Sequence, residues 1–181
     1  IRYPRVVSAL LVGFGLGVAG ALAQSATNNP LADPSIIGTT AGASLGAVIA
    51  VITGVAAIGS PVVSLFAIVG ALVATLIAFA LSRSALQLVI VGIAISALVS
   101  AVSGLMISIS ANSGARSISF WSLGSLALAN SETVSILAPV ILSTSVIGWW
   151  ISQRMDLLVL GDREVRHLGF NPQKMRLIAF L

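Results

Sequence analysis

Along this chain the apolar residues come in long blocks, and the charged ones mark where the blocks stop. Between Arg5 and Asp33 lie 27 uncharged residues, between Asp33 and Arg83 49, between Arg83 and Arg116 32, and between Glu132 and Arg154 21. Crossing the hydrocarbon core of a bilayer takes roughly 20 residues of apolar helix. The longest block would make one helix of about 74 Å at 1.5 Å per residue, and Thr53-Gly54 with Gly59-Ser60-Pro61 divides it. Five spans are therefore predicted, at 6–26, 35–54, 62–82, 86–110 and 133–153. The blocks do not alternate polar with apolar positions, so helices are predicted rather than barrel strands.

Cap chemistry marks the ends of these spans. Asp33-Pro34 and Ser60-Pro61 each offer a side-chain acceptor at the N-cap and a proline at the first helical position, where its missing N–H costs nothing. Asn112-Ser113-Gly114 stops the fourth span. Asn130-Ser131-Glu132 starts the fifth, with an acid near the positive end of the helix dipole.

Composition closes off other classes. Of 181 residues 57% are hydrophobic and 8% charged, against about a quarter charged in an ordinary soluble domain. Too little polar surface remains to cover a soluble enzyme, and disorder needs the opposite balance. Nine basic residues spread through apolar sequence form no phosphate-tracking stripe, so a nucleic-acid partner is not predicted. The absence of cysteine excludes disulfides, thiolate metal sites and cysteine nucleophiles. His167 is the only histidine and Lys174 the only lysine, which excludes a His-pair metal site and a P-loop. The fold class predicted is all-α, a polytopic transmembrane helical bundle in contact with membrane lipid.

Five spans place the two ends on opposite faces. Arg2, Arg5 and Arg116 share one face; Arg83, Arg154, Arg163, Arg166, Lys174 and Arg176 share the other, which the positive-inside rule makes cytoplasmic. Tyr3, Phe120-Trp121 and Trp149-Trp150 stand at span ends, as interfacial aromatics do. Gly38, Gly42 and Gly46, and likewise Gly13 and Gly17, would form bare ridges that let helix backbones approach. No span carries an ionisable group in its middle, which argues against a proton- or ion-coupled carrier. Polar groups such as Gln24, Thr27, Asn28 and Asn29 would guide a large solute, and the energy would come from elsewhere.

Eight of the fourteen charges fall within 154–176. Asp162 can N-cap a short helix through about Leu168, Gly169 can end it in the left-handed conformation, and Asn171-Pro172 can cap the next helix. The segment reads either as a solvated, positively charged loop or as an ordered docking helix, and the caps at both ends favour the second.

Four motifs in order resemble the FecCD-type permeases, membrane subunits of ABC importers for iron–siderophore complexes, haem and cobalamin. Asn28-Asn29-Pro30-Leu31-Ala32-Asp33-Pro34, followed by Gly38, Gly42 and Gly46, resembles the family's NPLADP…G…GA..G signature. Ile1-Arg2-Tyr3-Pro4-Arg5 is similar to its R-x-P-R segment, and Phe120-Trp121 through Gly124-Ser125 to its FW-x-x-GS segment. Leu158 to Gly169 resembles its LALGE…AR.LG coupling motif, with Asp162 in place of the usual glutamate. Ala85-Leu86 stands where the family often has small polar residues. The likeness covers the whole chain.

The resemblance implies a piece of a roughly ten-span permease, running from its second span to the start of its seventh, with a coupling segment at about 154–173. It implies that Arg2 and Arg5 face carboxylates of an extracytoplasmic substrate-binding protein, although interfacial snorkelling is the competing account. It implies that Asn29 and Leu31 contribute to a cytoplasmic gate. Leu160, Gly161, Asp162, Glu164, Arg166, Leu168 and Gly169 would couple to the ATPase. The implied assembly is a permease pair, either a homodimer or two homologous chains, with two cytoplasmic ATPase subunits in the bacterial cytoplasmic membrane. This chain would be no enzyme itself and bind no cofactor, ATP being used by the partner. The cargo implied is an iron–siderophore complex; haem or cobalamin import, and a non-ABC channel or scaffold, are the alternatives.

Overall fold

Inside a bilayer every backbone polar group must be satisfied within the protein, which leaves the helix as the means for an isolated apolar stretch to cross. The computed structural model describes residues 2–110, 124–127 and 129–180. Arg116, the Asn112-Ser113-Gly114 stop and Phe120-Trp121-Ser122-Leu123 lie outside them. The described helices are α1 (Arg2–Thr27), α2 (Thr39–Ile52), α3 (Pro61–Leu81), α4 (Ala85–Ile109), α5 (Ser131–Met155), α6 (Asp162–His167) and α7 (Pro172–Phe180). Short 3-10 turns at Pro34–Ile37 and Asp156–Leu160 precede α2 and α6. Four stretches, Tyr3–Thr27, Pro61–Leu81, Ala85–Ile109 and Val134–Leu160, are long and apolar enough to cross a membrane. The chain is an all-helical transmembrane bundle.

The predicted span at 35–54 is the one that differs. Instead of one continuous helix, a 3-10 turn runs from Pro34 to Ile37, and α2 follows with only 14 residues. At 1.5 Å per residue α2 is about 21 Å long, short of the roughly 30 Å hydrocarbon core. The break sits at Gly38, whose φ of 92° is open to glycine and strained for other residues. Hydropathy counted the apolar residues correctly and was blind to this change of direction. Beyond Ile52, Thr53 Oγ donates back to the Ile49 carbonyl at 2.6 Å and Gly54 turns the chain with φ 73°.

The chain forms two compact units, Pro34–Ser125 and Ile1–Asp33 with Leu126–Leu181. In the first, α2 and α3 pack antiparallel at close range. A Cβ added at Gly42 would overlap the Gly70 carbonyl, one at Gly46 the Phe66 carbonyl, and one at Gly70 the Gly42 carbonyl. Gly42 and Gly46 of the predicted ridge thus make a real backbone-to-backbone contact with α3, while Gly38 stands at the break before α2 and meets Ile95 of α4. Gly92 gives α4 the same intimacy with the 3-10 turn, where a Cβ would strike the Ile36 carbonyl. Ala47, Val48, Ala50, Val51 and Val63 form the buried core beside this crossing.

Ser60 occupies the N-cap of α3 in extended conformation with Pro61 next, yet its side chain makes no cap hydrogen bond. Helix α4 has a side-chain cap at Ser84. Ser84 Oγ accepts from the Gln87 amide at 3.3 Å, while Gln87 Oε1 accepts from the Arg83 amide at 2.9 Å. Such reciprocal bonding satisfies two backbone donors at once.

In the second unit α1 and α5 run parallel, with Gly15 against Ile141 and Gly148 against Val18 and Leu22. The ridge predicted at Gly13 and Gly17 is not the contact: a Cβ at either would meet nothing within 4 Å. The parallel arrangement brings Arg5 beside Ala127 at one end and Asn28 beside Leu158 at the other. That is the pairing of ends the charge pattern required.

Replacing Gly42 by leucine should therefore lower stability by about 1–3 kcal/mol or more, as overpacking does. Gly13→Ala, with open space beside it, should leave it unchanged. Thermal unfolding of the purified protein in detergent micelles distinguishes the two.

Candidate functional site

The charged end of the second unit is where most predicted site residues meet. As α5 ends, Met155 turns inward, and the 3-10 turn that follows buries Leu158 completely. Gly161 then reverses the chain with φ 93° and ψ 154°, a conformation essentially confined to glycine. Helix α6 follows for six residues. Its inward-facing Val165 is fully buried and packs in one cluster with Ala26, Met155, Leu158 and Met175. A helix so short cannot hold itself in water, so this apolar plug and its end contacts set its pose.

Both ends of the connection are closed by left-handed residues. Gly169 has φ 85°; its amide donates to the Arg166 carbonyl at 3.0 Å and the Phe170 amide to the Val165 carbonyl at 3.1 Å. That double bond pattern terminates α6 and satisfies its last carbonyls. At the foot of α1, Asn28 does the same with φ 51°, and the Asn29 amide reaches the Gln24 carbonyl at 3.1 Å. Asn tolerates this region better than other side chains bearing a Cβ. Asn171 Oδ1 accepts from the Gln173 and Lys174 amides at 3.0 and 3.2 Å, so the predicted cap on α7 is present.

Asp162 departs from its predicted role. It is the first residue of α6 rather than its N-cap, which is Gly161 without a side-chain bond. Its carboxylate instead receives a forked pair of hydrogen bonds from Arg176: Nη1 to Oδ2 at 3.0 Å, and Nη2 to Oδ1. Nε of the same guanidinium donates to the Ala26 carbonyl at 2.8 Å. Arg176 is only 4% exposed. Burying a cation is costly unless it is paired and hydrogen-bonded, and here every edge of the fork has a use. The Ala26 carbonyl is one of the last four of α1, which lack partners within the helix and carry its negative dipole end. Asp162, in turn, sits at the positive end of α6. One arginine thus ties together two helix ends of opposite polarity.

The Arg176 hydrogen bonds hold the Asp162 carboxyl below its ordinary range; partial burial opposes this, and the charges of Arg176 and Arg166 assist it. A second tie lies close by: Asn28 Nδ2 donates to the Leu158 carbonyl at 2.7 Å. Sequence reasoning named Asn29 and Leu31 but gave Asn28 and Arg176 no role at this site. Their partners are 130 and 150 residues away in sequence, beyond any local pattern.

The remaining predicted residues fall into three places. Asn29 Oδ1 accepts from the Leu31 amide at 2.9 Å, forming a tight turn that leaves Leu31 86% exposed. Leu160 and Leu168 point outward, with Val159 and Phe170 also exposed. Glu164 and Arg166 are exposed between them, and Glu164 lies 3.7 Å from His167 Nδ1. The segment thus exposes apolar side chains together with charges of both signs. Arg2 and Arg5 are separate from all of these, in the first turns of α1; Arg5 Nη2 donates to the Ala127 carbonyl at 2.9 Å. Among the described residues no three His, Asp or Glu side chains cluster to hold a metal ion.

Because the folded Asp162 carboxyl is more acidic than an unfolded one, near 3.9, its pair stabilises the fold fully above that value. The contribution is lost as pH falls through the lower folded value. Asp162→Asn should lower the melting temperature at pH 6 and shrink the difference from wild type below pH 3. Arg176→Ala should cost less than the roughly 3–5 kcal/mol of a broken fully buried pair, because the Asp162 side chain is 30% exposed. Melting curves across this pH range in micelles test both.

Comparison with known proteins fits this architecture. The chain is 37% identical over 190 residues to the hemin transport system permease protein HmuU of Yersinia pestis, matching all of this chain and 56% of that one. It is 34% identical over 186 residues to an iron chelatin transport system permease of Helicobacter pylori, again over all of this chain and 55% of the relative. Other relatives are named for molybdate and vitamin B12 import. The chain spans just over half the length of these curated relatives. A solved structure described as a metal-chelate type ABC transporter in an inward-facing conformation superimposes with a TM-score of 0.89 at 32% identity, over 99% of this chain and 58% of that one. These likenesses and the apolar helices make it a multi-pass protein of the inner membrane. The model of the FecCD transport family matches residues 1–181, and the chain belongs to that family.

Proposed function

We propose that this chain forms part of the permease of an ATP-binding-cassette importer that carries an iron–siderophore complex across the cytoplasmic membrane. The observation that supports this most directly is the ordered corner at 156–169. A short helix is held from behind by Val165 and Asp162 and presents Leu160, Leu168, Glu164 and Arg166 outward. Held in this way, the helix is suited to receive force from a soluble partner. Exposed apolar side chains beside charges of both signs are the make-up of a protein interface. In this reading the partner is a cytoplasmic ATPase, one of two serving a pair of permeases, identical or homologous.

ATP binding and hydrolysis in those subunits would move α6, and with it the cytoplasmic gate at Asn29 and Leu31, so that the pathway opens to alternate sides. At the other end of α1, Arg2 and Arg5 would meet the carboxylates of an external binding protein that delivers cargo. The described spans carry no ionisable side chain in their middle, which suits a pathway that passes a large ligand without gripping it. A second reading, hemin as cargo, is favoured by the 37% identity to the Yersinia permease along the whole chain.

The test is ATP-dependent uptake into proteoliposomes holding the full-length permease, its ATPase and its binding protein. Ferric siderophore should be accumulated; accumulation of hemin alone would select the second reading, and uptake of neither would refute both. Reversing Glu164 and Arg166 together (E164R/R166E) should weaken ATPase association about tenfold or more, equivalent to about 1.4 kcal/mol. Copurification of the ATPase at wild-type yield would refute the coupling role.

A further inference from the structure

We propose that Arg176 and Asn28 are positioning residues that lock α6 to the foot of α1, making the outward patch and the Asn28–Leu31 turn one rigid piece. The proposal rests on the coupling role argued above and concerns how force leaves α6 once a partner has moved it.

The two ties flank the end of α1. Arg176 grips the Ala26 carbonyl inside the last turn, and Asn28, in the left-handed position just beyond it, grips the Leu158 carbonyl. On the other side, Arg176 holds Asp162 at the head of α6, while Leu158 precedes α6 by only a few residues. Between the ties lies the fully buried contact of Ala26, Leu158 and Val165. Two polar links with an apolar wedge between them resist rotation as well as separation, which one link would not. Asn29 and Leu31 follow Asn28 directly and are themselves joined by a hydrogen bond, so displacement of α6 reaches them without passing through a flexible segment.

The choice of side chains fits this role. A guanidinium offers donors in a fixed planar fork and can serve a carboxylate and a carbonyl together. An ammonium at the same place is a compact point charge on a flexible stem, without the planar fork that fixes the two partners at one geometry. Asn28 combines tolerance of positive φ with an amide long enough to cross to Leu158. Glycine keeps the first property and lacks the second.

The variants that isolate the proposal are therefore Asn28→Gly and Arg176→Lys, with Lys174→Gln, at an exposed position of α7, as the control. They are placed in the full-length transporter, reconstituted with its ATPase and binding protein. ATPase association should stay within about twofold of wild type. The ATP consumed per cargo molecule imported should rise about fivefold or more in N28G and R176K, a barrier difference of about 1 kcal/mol, and stay at the wild-type value in K174Q.

A structural readout accompanies it. Spin labels at Ser25→Cys and His167→Cys, both exposed positions, report the distance from α1 to α6 in a cysteine-free background. That distance should be the same in the nucleotide-free and vanadate-trapped states, and should broaden in N28G. An unchanged ATP-to-cargo ratio in both variants would overturn the proposal. So would a label distance that differs between the two states of the otherwise wild-type protein, a measurement that stands even if R176K fails to fold. Failure of the coupling role itself would appear elsewhere, as ATPase association insensitive to E164R/R166E.

Discussion

The charged end of this protein depends on one buried guanidinium. Arg176 is nearly excluded from water and is matched on every side by groups that need a cation: a carboxylate at the start of α6 and a carbonyl at the end of α1. The Ala26 carbonyl, one of the orphans at the end of α1, could not be buried without a donor, nor the guanidinium without a countercharge. Arg176 meets both needs by donating to that carbonyl and to the Asp162 carboxylate, and Val165 packs beside them against Ala26 and Leu158. Order in a six-residue helix follows from that arrangement and not from helix propensity, which is too weak at such length.

How much of this was legible beforehand depended on the range of each interaction. Charge scarcity placed four spans within a few residues of the observed helices, because hydrocarbon thickness acts on every span alike and reads only apolar length. The same reasoning merged Pro34–Ile37 and α2 into one span. A single positive φ at Gly38 redirects the chain without changing its hydropathy. Among the caps, Asn171 and Gly169 act within a few residues of themselves as their local patterns indicate, whereas Ser60 holds the N-cap position of α3 without the side-chain bond. Asp162 satisfied the local rule for an N-cap and went instead to Arg176, whose fork gives two parallel bonds and an opposite charge where a cap gives one charge-assisted bond to a neutral amide. The ties made by Asn28 and Arg176 to α1 and to Leu158 had no local signal at all.

The glycines divide along the same line. Spacing of four residues picks out Gly42 and Gly46, which meet α3, and equally Gly13 and Gly17, where an added Cβ would meet nothing of this chain within 4 Å, although the patterns are alike. What separates them is the partner surface. Gly70 on α3 is itself bare where Gly42 arrives, so two backbones can meet; α1 instead meets α5 through Gly15 and Gly148, each facing a branched or long apolar side chain. A small-residue repeat states that close approach is possible. Only complementarity on the facing helix decides where it happens.

The unpunctuated stretch from Pro34 to Ser82 has a further consequence. It contains no charged residue, tryptophan or tyrosine, the side chains that moor a helix at the headgroup level. By contrast, α1 and α5 carry Tyr3, Arg5, Trp149, Trp150 and Arg154, the last stacked 4.8 Å over the Trp150 ring. The polar anchors of the α2–α3 hairpin, Asp33 and Arg83, therefore stand only at its two open ends. The turn that joins the helices, from Thr53 to Ser60, has no charged or aromatic side chain to hold it at the headgroup level, so the depth of that end follows from the glycine crossing and from apolar length alone.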